Sequence, residues 1–428
     1  MKTRQAAPRT GSAERAALIR LVTRAGRGSD SDLLLEELAG LTQAAGAVAV
    51  LRAIQERSTP DSATLIGRGK AEELAIACRE AGATLAVFDN NLTPAQARNL
   101  EEIFGCRVVD RTEVILDIFA RRARTREGKL QIELAQLQYL MPRLIGSAAL
   151  SRLGGGIGTR GPGETKLETD RRRIRYRISV LKRDIAEVGT RRGHLRGRRR
   201  RLDVPTAALV GYTNAGKSTL FNKLTASTAV ASDALFVTLD PLLRRLKLPD
   251  ARQILLSDTV GFIDRLPHQL VAAFHATLEE VTSADLLLHV VDASAPDRER
   301  RADAVRSVLM EVGVAQTPTL EVFNKCDRIS EGELARLKGL HPSAVFVSGL
   351  TGAGRTELID IIASRLEMDA ELVRLEFDST RDADRKLMAE LYRHARVTSH
   401  VVAEQRVTID AEVPRRLLDR FVRSRVSA

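Results

Sequence analysis

The chain has 428 residues, more than one compact domain usually holds, so we expect roughly three or four domains. Hydrophobic residues make up 44% of it, which excludes general disorder, and no apolar run is long enough to predict a transmembrane helix. The net charge is +12, but residues 121–201 contain 23 Lys and Arg against 7 Asp and Glu, a local charge of +16 that leaves −4 for the remainder.

The N-terminal part of the chain alternates apolar runs with helical patterns. We interpret residues 1–13 as a disordered tail and residues 14–125 as an α/β domain. Strands are predicted over residues 17–22, 45–51 and 83–88, and helices over residues 70–79 and 93–102. Thr93 is the expected N-cap of the second helix, because Pro94 suits the first helical position.

Two further features concern location and ligands. The N-terminus shows no secretory signal, and the three cysteines of the whole chain lie far apart without metal-binding spacing, so we expect a cytoplasmic protein. Residues 67–70, Gly-Arg-Gly-Lys, have two interpretations, a tight strand-to-helix turn or an ATP site, and the sequence leaves both open.

Residues 126–203 form the basic segment, which we interpret as an antiparallel helical hairpin that contacts RNA. Two apolar stripes recur at coiled-coil spacing, and Pro142 is expected to kink or end the first helix near Met141. Residues 151–164 are predicted as a glycine-rich tip. A localised positive surface predicts a polyanion as partner, whereas the plainer alternative is a solvated coiled coil. The stripes are Leu130, Leu134, Leu137, Met141 and Leu144, then Ile174, Ile178, Leu181, Ile185 and Val188. The candidate RNA contacts are Arg152, Arg160, Lys166, Arg171, Arg172 and Arg173.

Residues 204–368 are predicted to form a mostly parallel, doubly wound sheet with helices on both faces. Its strands are expected over residues 207–210, 254–257, 286–291, 319–323 and 344–347, with a helix over residues 300–312 among the connections. Residues 369–428 are interpreted as a small α+β domain. Its strands are expected over residues 371–377, 397–402 and 406–409, with a helix that ends near His394.

The run from Gly211 to Ser218, Gly-Tyr-Thr-Asn-Ala-Gly-Lys-Ser, is a phosphate-binding loop between a strand and a helix. The glycines let backbone N–H groups wrap the phosphates, and Lys217 supplies a positive charge. Ser218 is the expected Mg²⁺ ligand, and Asp258 would hold the ion through water. Gly261 would sense the γ-phosphate through its N–H group.

Thr238 is the expected switch threonine, closing on Mg²⁺ and the γ-phosphate, although it could also be an ordinary strand residue. Asn324 and Asp327 select the base, because the Asp327 carboxylate can accept two hydrogen bonds that guanine donates and adenine does not. The catalytic group comprises Lys217, Thr238 and Gly261. The residues assigned to GTP are Gly211, Tyr212, Thr213, Asn214, Ala215, Gly216, Lys217, Ser218, Thr219, Phe236, Thr238, Asp258, Gly261, Asn324, Lys325, Asp327, Ser348, Gly349 and Leu350.

Two positions predict slow hydrolysis that a partner activates. Phe262 follows Gly261, where many GTPases carry a glutamine that orients the attacking water. A phenylalanine side chain cannot orient water, so backbone groups or a partner must do so. Asn214 either caps the loop or binds K⁺, which would make K⁺ a cofactor beside Mg²⁺.

Residues 110–137, 155–170, 211–218 and 258–262 together resemble the HflX family of GTPases. The resemblance covers about residues 14–366, with one departure at Ser348-Gly349, where a Ser-Ala pair is more usual. It implies that the protein binds the large ribosomal subunit and its rRNA, and dissociates stalled or idle ribosomes, often under stress. We expect a monomer that hydrolyses GTP to GDP. The alternatives are a ribosome-assembly GTPase without splitting activity and an RNA-binding module that nucleotide only regulates.

Overall fold

The computed structural model describes residues 13–23, 31–153, 162–202, 204–227, 235–236, 238, 241–249, 253–264, 280–367, 370–403, 405–414, 417–418 and 421. The predicted tail, residues 1–13, therefore lies almost wholly outside the described residues. Contacts divide the chain into two compact units at Ile185 and Ala186, within one long helix. No helix of the described part is both long and apolar enough to cross a membrane.

The first unit contains a parallel four-stranded sheet in the order β2-β1-β3-β4. The strands β1, β3 and β4 are mostly buried, whereas the edge strand β2 is mostly only partly buried. Thr93 caps α3 in a reciprocal capping box with Gln96, as predicted. The elements are β1 Glu14–Thr23, α1 Ser31–Ala44, β2 Ala47–Arg57, α2 Arg68–Glu80, β3 Leu85–Phe88, α3 Pro94–Phe104, β4 Arg107–Asp110 and α4 Arg111–Arg122.

Two long helices follow, α5 Arg126–Leu153 and α6 Pro162–Leu202. The predicted end near Met141 is wrong, because α5 continues through Pro142. Tertiary contacts on either side of the proline outweigh its missing N–H group: Asp110 bonds to both Tyr139 and Arg143. The stripe residues Leu134 and Leu181 are buried, and the described remainder of both stripes is partly buried, as a helix–helix seam requires.

The predicted tip is also too long. Residues 151–153 end α5 and residues 162–164 begin α6, so only residues 154–161 are left between the helices, and these lie outside the described residues. Pro162 fits the first turn of a helix, where its missing N–H group costs nothing. Near the other end of the pair, Arg177 of α6 forms a two-pronged ion pair with Glu133 of α5.

The second unit contains a six-stranded sheet in the order β10-β9-β8-β5-β7-β6, parallel except for β6. The predicted mostly parallel sheet is thereby confirmed, although β6 was not predicted. The elements are β5 Thr206–Gly211, α7 Lys217–Thr225, β6 Leu242–Lys247, β7 Gln253–Asp258, β8 Leu286–Asp292, α8 Arg298–Glu311, β9 Thr319–Asn324, α9 Glu331–Leu340, β10 Val345–Phe346 and α10 Arg355–Glu367.

A third, antiparallel sheet in the order β11-β13-β12 has its own apolar core beneath one helix, as the predicted α+β pattern required. The elements are β11 Ala370–Asp378, α11 Asp382–His394, β12 Arg396–Ala403 and β13 Arg406–Pro414. The last strand is longer than predicted, because its alternating buried residues continue to Val413.

Candidate functional site

The phosphate loop joins the end of β5 to the start of α7, where the dipole of the helix favours a bound anion. Both of its glycines are required by space. A Cβ atom on Gly211 would lie 2.3 Å from the Val290 carbonyl oxygen, and one on Gly216 would lie 2.3 Å from Nδ2 of Asn324. Gly216 also has a φ of 86°, which L side chains rarely adopt.

Lys217 is buried beneath this loop. Its Nζ donates to the carbonyl oxygens of Gly211, at 3.0 Å, and Tyr212, at 2.9 Å. Burial lowers the pKa of Lys217 to about 8, against the opposing attraction of Asp258. Both of these acceptors are neutral carbonyl oxygens, and a bound phosphate would favour the charged form of the amine.

Ser218, Thr238 and Asp258 meet at one point. The two hydroxyl oxygens lie 2.7 Å apart, and they are 2.7 Å and 2.9 Å from Oδ2 of Asp258. Burial raises the pKa of Asp258, and its Oδ1 has no hydrogen-bond partner among the described residues. Thr238 lies outside every strand, so the strand interpretation of this residue is wrong.

This donor set fits Mg²⁺. Hydroxyl and carboxylate oxygens are hard ligands, and Oδ1 of Asp258 is a buried acceptor that nothing else satisfies in the described part of the chain. No cluster of three or more His, Cys, Asp or Glu suited to a metal occurs among the described residues. A protein cage is not needed, because Mg²⁺ usually keeps water and takes phosphate oxygens as further ligands.

Two segments outside the loop pack against it. The Phe236 N–H group donates to Oγ1 of Thr213, at 3.0 Å. Phe262, which is buried, donates its N–H to the Gly211 carbonyl at 3.0 Å and accepts from the Thr213 N–H group at 2.6 Å. Gly261 is thereby held so close that a Cβ atom there would lie 2.7 Å from Cα of Thr213.

The residues predicted to recognise the base lie at the end of β9 and after β9 and β10. Asn324 is buried and bridges two loops, since its Nδ2 donates to the Ala215 carbonyl at 2.9 Å while its Oδ1 accepts from the Gly349 N–H group at 2.8 Å. Asp327 is exposed in a short turn and makes no hydrogen bond within the described residues. Its carboxylate is therefore available to a ligand.

The remaining assigned residues occupy different positions around the loop. Ser348 is buried, and its N–H group donates to the Ala353 carbonyl at 3.0 Å. This N–H group therefore already has an acceptor within the protein. Leu350 is exposed. Thr219 is partly buried on α7, and Asn214 is exposed with a φ of 59°. Asn214 makes no hydrogen bond to the described part of the loop, so the structure gives no support for its capping role.

Sequence reasoning missed one residue of the base side. Asp292, at the end of β8, accepts an ion pair from Nζ of Lys325 at 2.8 Å. Its other oxygen accepts from the N–H and hydroxyl groups of Ser294. An acidic residue at the carboxyl end of a buried parallel strand was the available signal, because ligand sites form at that edge of a sheet.

The predicted RNA contacts lie on the two long helices. Arg171, Arg172 and Arg173 are in α6, and the last two are exposed. Arg152 and Lys166 lie on α5 and α6, but their side chains, like the whole of Arg160, fall outside the described residues.

Family models match successive parts of the chain. The matches are GTP-binding GTPase N-terminal over residues 32–120, GTP-binding GTPase Middle Region over residues 122–199, and 50S ribosome-binding GTPase over residues 206–325. A Zeta toxin model matches residues 327–419. That range excludes the phosphate loop and crosses from the six-stranded sheet into the third sheet, so it corresponds to no single sheet of this fold.

Named relatives cover most of the chain. The GTPase HflX of Caldanaerobacter subterraneus subsp. tengcongensis is 42% identical over 413 residues, which are 95% of this chain and 93% of that protein. The GTPase HflX of Escherichia coli K12 is 49% identical over 335 residues, or 78% and 79%. A crystal structure of a GTP-binding protein from Sulfolobus solfataricus with GDP covers 82% of this chain and 98% of its own, at 24% identity and a TM-score of 0.44.

Proposed function

Because the chain belongs to the HflX family of GTPases, we propose that it binds the large ribosomal subunit and uses GTP to dissociate stalled or idle ribosomes. The chain is a GTP hydrolase of this family. The matched model over residues 206–325 is described as a 50S ribosome-binding GTPase, which supports the ribosome as partner. Such a partner would place the protein in the cytoplasm.

The observation that carries the proposal is the combination of this nucleotide domain with the local charge of +16 over residues 121–201. The exposed cations of α6 would pair with rRNA phosphates and release counterions, so binding should weaken steeply as salt rises. Aromatic residues make up only 4% of the chain, which disfavours base stacking as the main contact.

In the nucleotide site, we assign the phosphates to the loop and Lys217, and the guanine base to Asp327. Ser218 and Thr238 would hold Mg²⁺ directly, with Asp258 behind them. The ion would neutralise charge that develops on the phosphate oxygens during transfer. Asn214 is exposed at the loop and is our candidate ligand for K⁺.

The hydrolytic step needs a water molecule aligned with the γ-phosphate. Phe262 is buried and its backbone is tied to the loop, so its side chain cannot supply that alignment. The Gly261 N–H group would contact the γ-phosphate, and a ribosomal partner would complete the water's placement. The intrinsic rate should therefore be slow, and large subunits should raise it.

Sedimentation of intact ribosomes with the protein tests the proposal. We expect free subunits to appear with GTP and with a non-hydrolysable analogue, because the GTP-bound state is the one that binds. An R172A/R173A variant should split ribosomes less well, whereas R381A/R385A, which removes the same charge near the C-terminal sheet, should match the parent chain. Binding to immature large subunits without splitting would instead support a role in ribosome assembly.

A further inference from the structure

The segment from Gly261 to Asp264 is fastened to the phosphate loop by a side chain as well as by backbone. Phe262 pairs with Tyr212 in a parallel bridge. Beyond that bridge, the hydroxyl of Tyr212 accepts from the Asp264 N–H group at 2.9 Å. The phosphate loop therefore holds this segment at two successive points, one on each side of Ile263.

Side chains at the start of helix α8 contact the same segment and the Tyr212 ring. The Arg300 guanidinium lies 2.9 Å from Oδ2 of Asp264 and 2.5 Å from Oδ2 of Asp297. The neighbouring Arg301 guanidinium lies over the Tyr212 ring, 5.3 Å from its centroid, and also pairs with Asp297. All these side chains are partly or fully buried, so solvent screens their interactions only in part.

This arrangement bears on hydrolysis, because Gly261 directly precedes the fastened residues Phe262 to Asp264 and lies close to Lys217. A Cβ atom on Gly261 would lie 3.1 Å from Nζ of Lys217. With phenylalanine at position 262, this segment offers backbone groups rather than a side chain to the attacking water. Small displacements of such groups reduce rates strongly.

We propose that Tyr212 and Arg300 are positioning residues for GTP hydrolysis, and that they act by holding residues 261–264 against the phosphate loop. The inference rests on GTP hydrolysis and does not depend on ribosome splitting. The described partners of Arg300 include Asp264 and Asp297, neither of which is assigned to the phosphates or the base, so Arg300 should affect turnover more than nucleotide affinity.

Single-turnover GTP hydrolysis and fluorescent GTP and GDP affinities of the Y212F and R300A variants test this assignment. Y212F removes the hydroxyl that accepts from the Asp264 N–H group and keeps the ring beneath Arg301. Y212F loses one hydrogen bond of ordinary strength, which should lower the hydrolysis rate about five- to tenfold. R300A loses the charged bond to Asp264 and should lower the rate at least as much, and affinities should change less than about twofold in both variants. R306A is the matched control, because Arg306 lies on the same helix and, within the described residues, pairs with Asp303 and Glu321 rather than with the segment.

A double-mutant cycle separates positioning from general destabilisation. If Arg300 acts through Asp264, D264A/R300A should be no slower than R300A alone, whereas independent effects would multiply. Rates for Y212F and R300A equal to that of R306A would overturn the proposal. So would equal losses of affinity and rate, since these would indicate a damaged binding site. Because hydrolysis is measured without ribosomes, loss of ribosome splitting in any variant would bear on the proposed function alone.

Discussion

Asp110, at the end of β4, joins the N-terminal sheet to the first long helix. It is 2% exposed, and its carboxylate has four donors. Oδ1 accepts from the Glu113 N–H group at 3.0 Å and the Tyr139 hydroxyl at 2.7 Å. Oδ2 accepts from the Leu92 N–H group at 3.1 Å and the Arg143 guanidinium at 2.8 Å. One carboxylate thereby fixes a loop, a helix start and the helix that carries the basic segment.

We expect the D110N variant to loosen this attachment. An asparagine keeps one acceptor oxygen and replaces the other by an NH₂ group. Two of the four groups that donate to Asp110 would then point at the NH₂ group, which is itself a donor. Lost bonds to a carboxylate cost about 1.5–3 kcal/mol each, and breaking a buried ion pair costs about 3–5 kcal/mol. Arg143 keeps 20% of its side chain exposed, and water can partly replace its partner, so we expect the low end, about 3 kcal/mol.

Amide hydrogen exchange of α5 measures this loss, because a chain with several domains does not unfold in a single step. The opening free energy of amides near Tyr139 should fall by about 3 kcal/mol in D110N. D117N is the matched control, since the Asp117–Arg121 pair is half exposed and its loss should cost under about 0.5 kcal/mol. Equal exchange in the two variants would show that Asp110 does not hold the helix.

Three further predictions concern the nucleotide site. Fluorescent GTP titrations should give constant affinity below about pH 8 and a fall in affinity of up to about tenfold per pH unit above it. The reason is that the pKa of Lys217 is about 8, and its neutral form no longer attracts the phosphates; a flat profile to about pH 9.5 would contradict this reasoning. D327A should weaken GTP binding about a hundredfold or more and leave ATP binding unchanged, since two bonds to a carboxylate are lost; equal losses for both nucleotides in calorimetry would exclude Asp327 as the selector. G261A should slow hydrolysis more than about tenfold while sparing GDP affinity, because its Cβ would press on Thr213 and Lys217; unchanged single-turnover rates would remove Gly261 from the reaction.

The nucleotide fold was predictable because its motifs are short and each follows a strand. Once the strand ends are placed, parallel topology brings Gly211, Asp258 and Asn324 to one edge of the sheet. The strand β6 was missed because two of its six residues are exposed arginines, and an edge strand does not need the apolar run of a central one.

Contacts between distant residues were beyond sequence reasoning. Tyr212 meets Asp264 across 52 residues of chain, and Asp110 meets Arg143 across 33. The residues next to Tyr212 or Arg143 in the sequence do not indicate these distant partners. The same applies to Pro142, whose local preference was outweighed by contacts that only the folded chain creates.

The amide of Asn324 has a consequence for how the protein is loaded. Because it ties the phosphate side to the purine side before any ligand arrives, little conformational freedom is left to lose on binding. Much of the free energy of nucleotide binding should then remain as affinity, and replacing this one amide should weaken GDP and GTP binding alike.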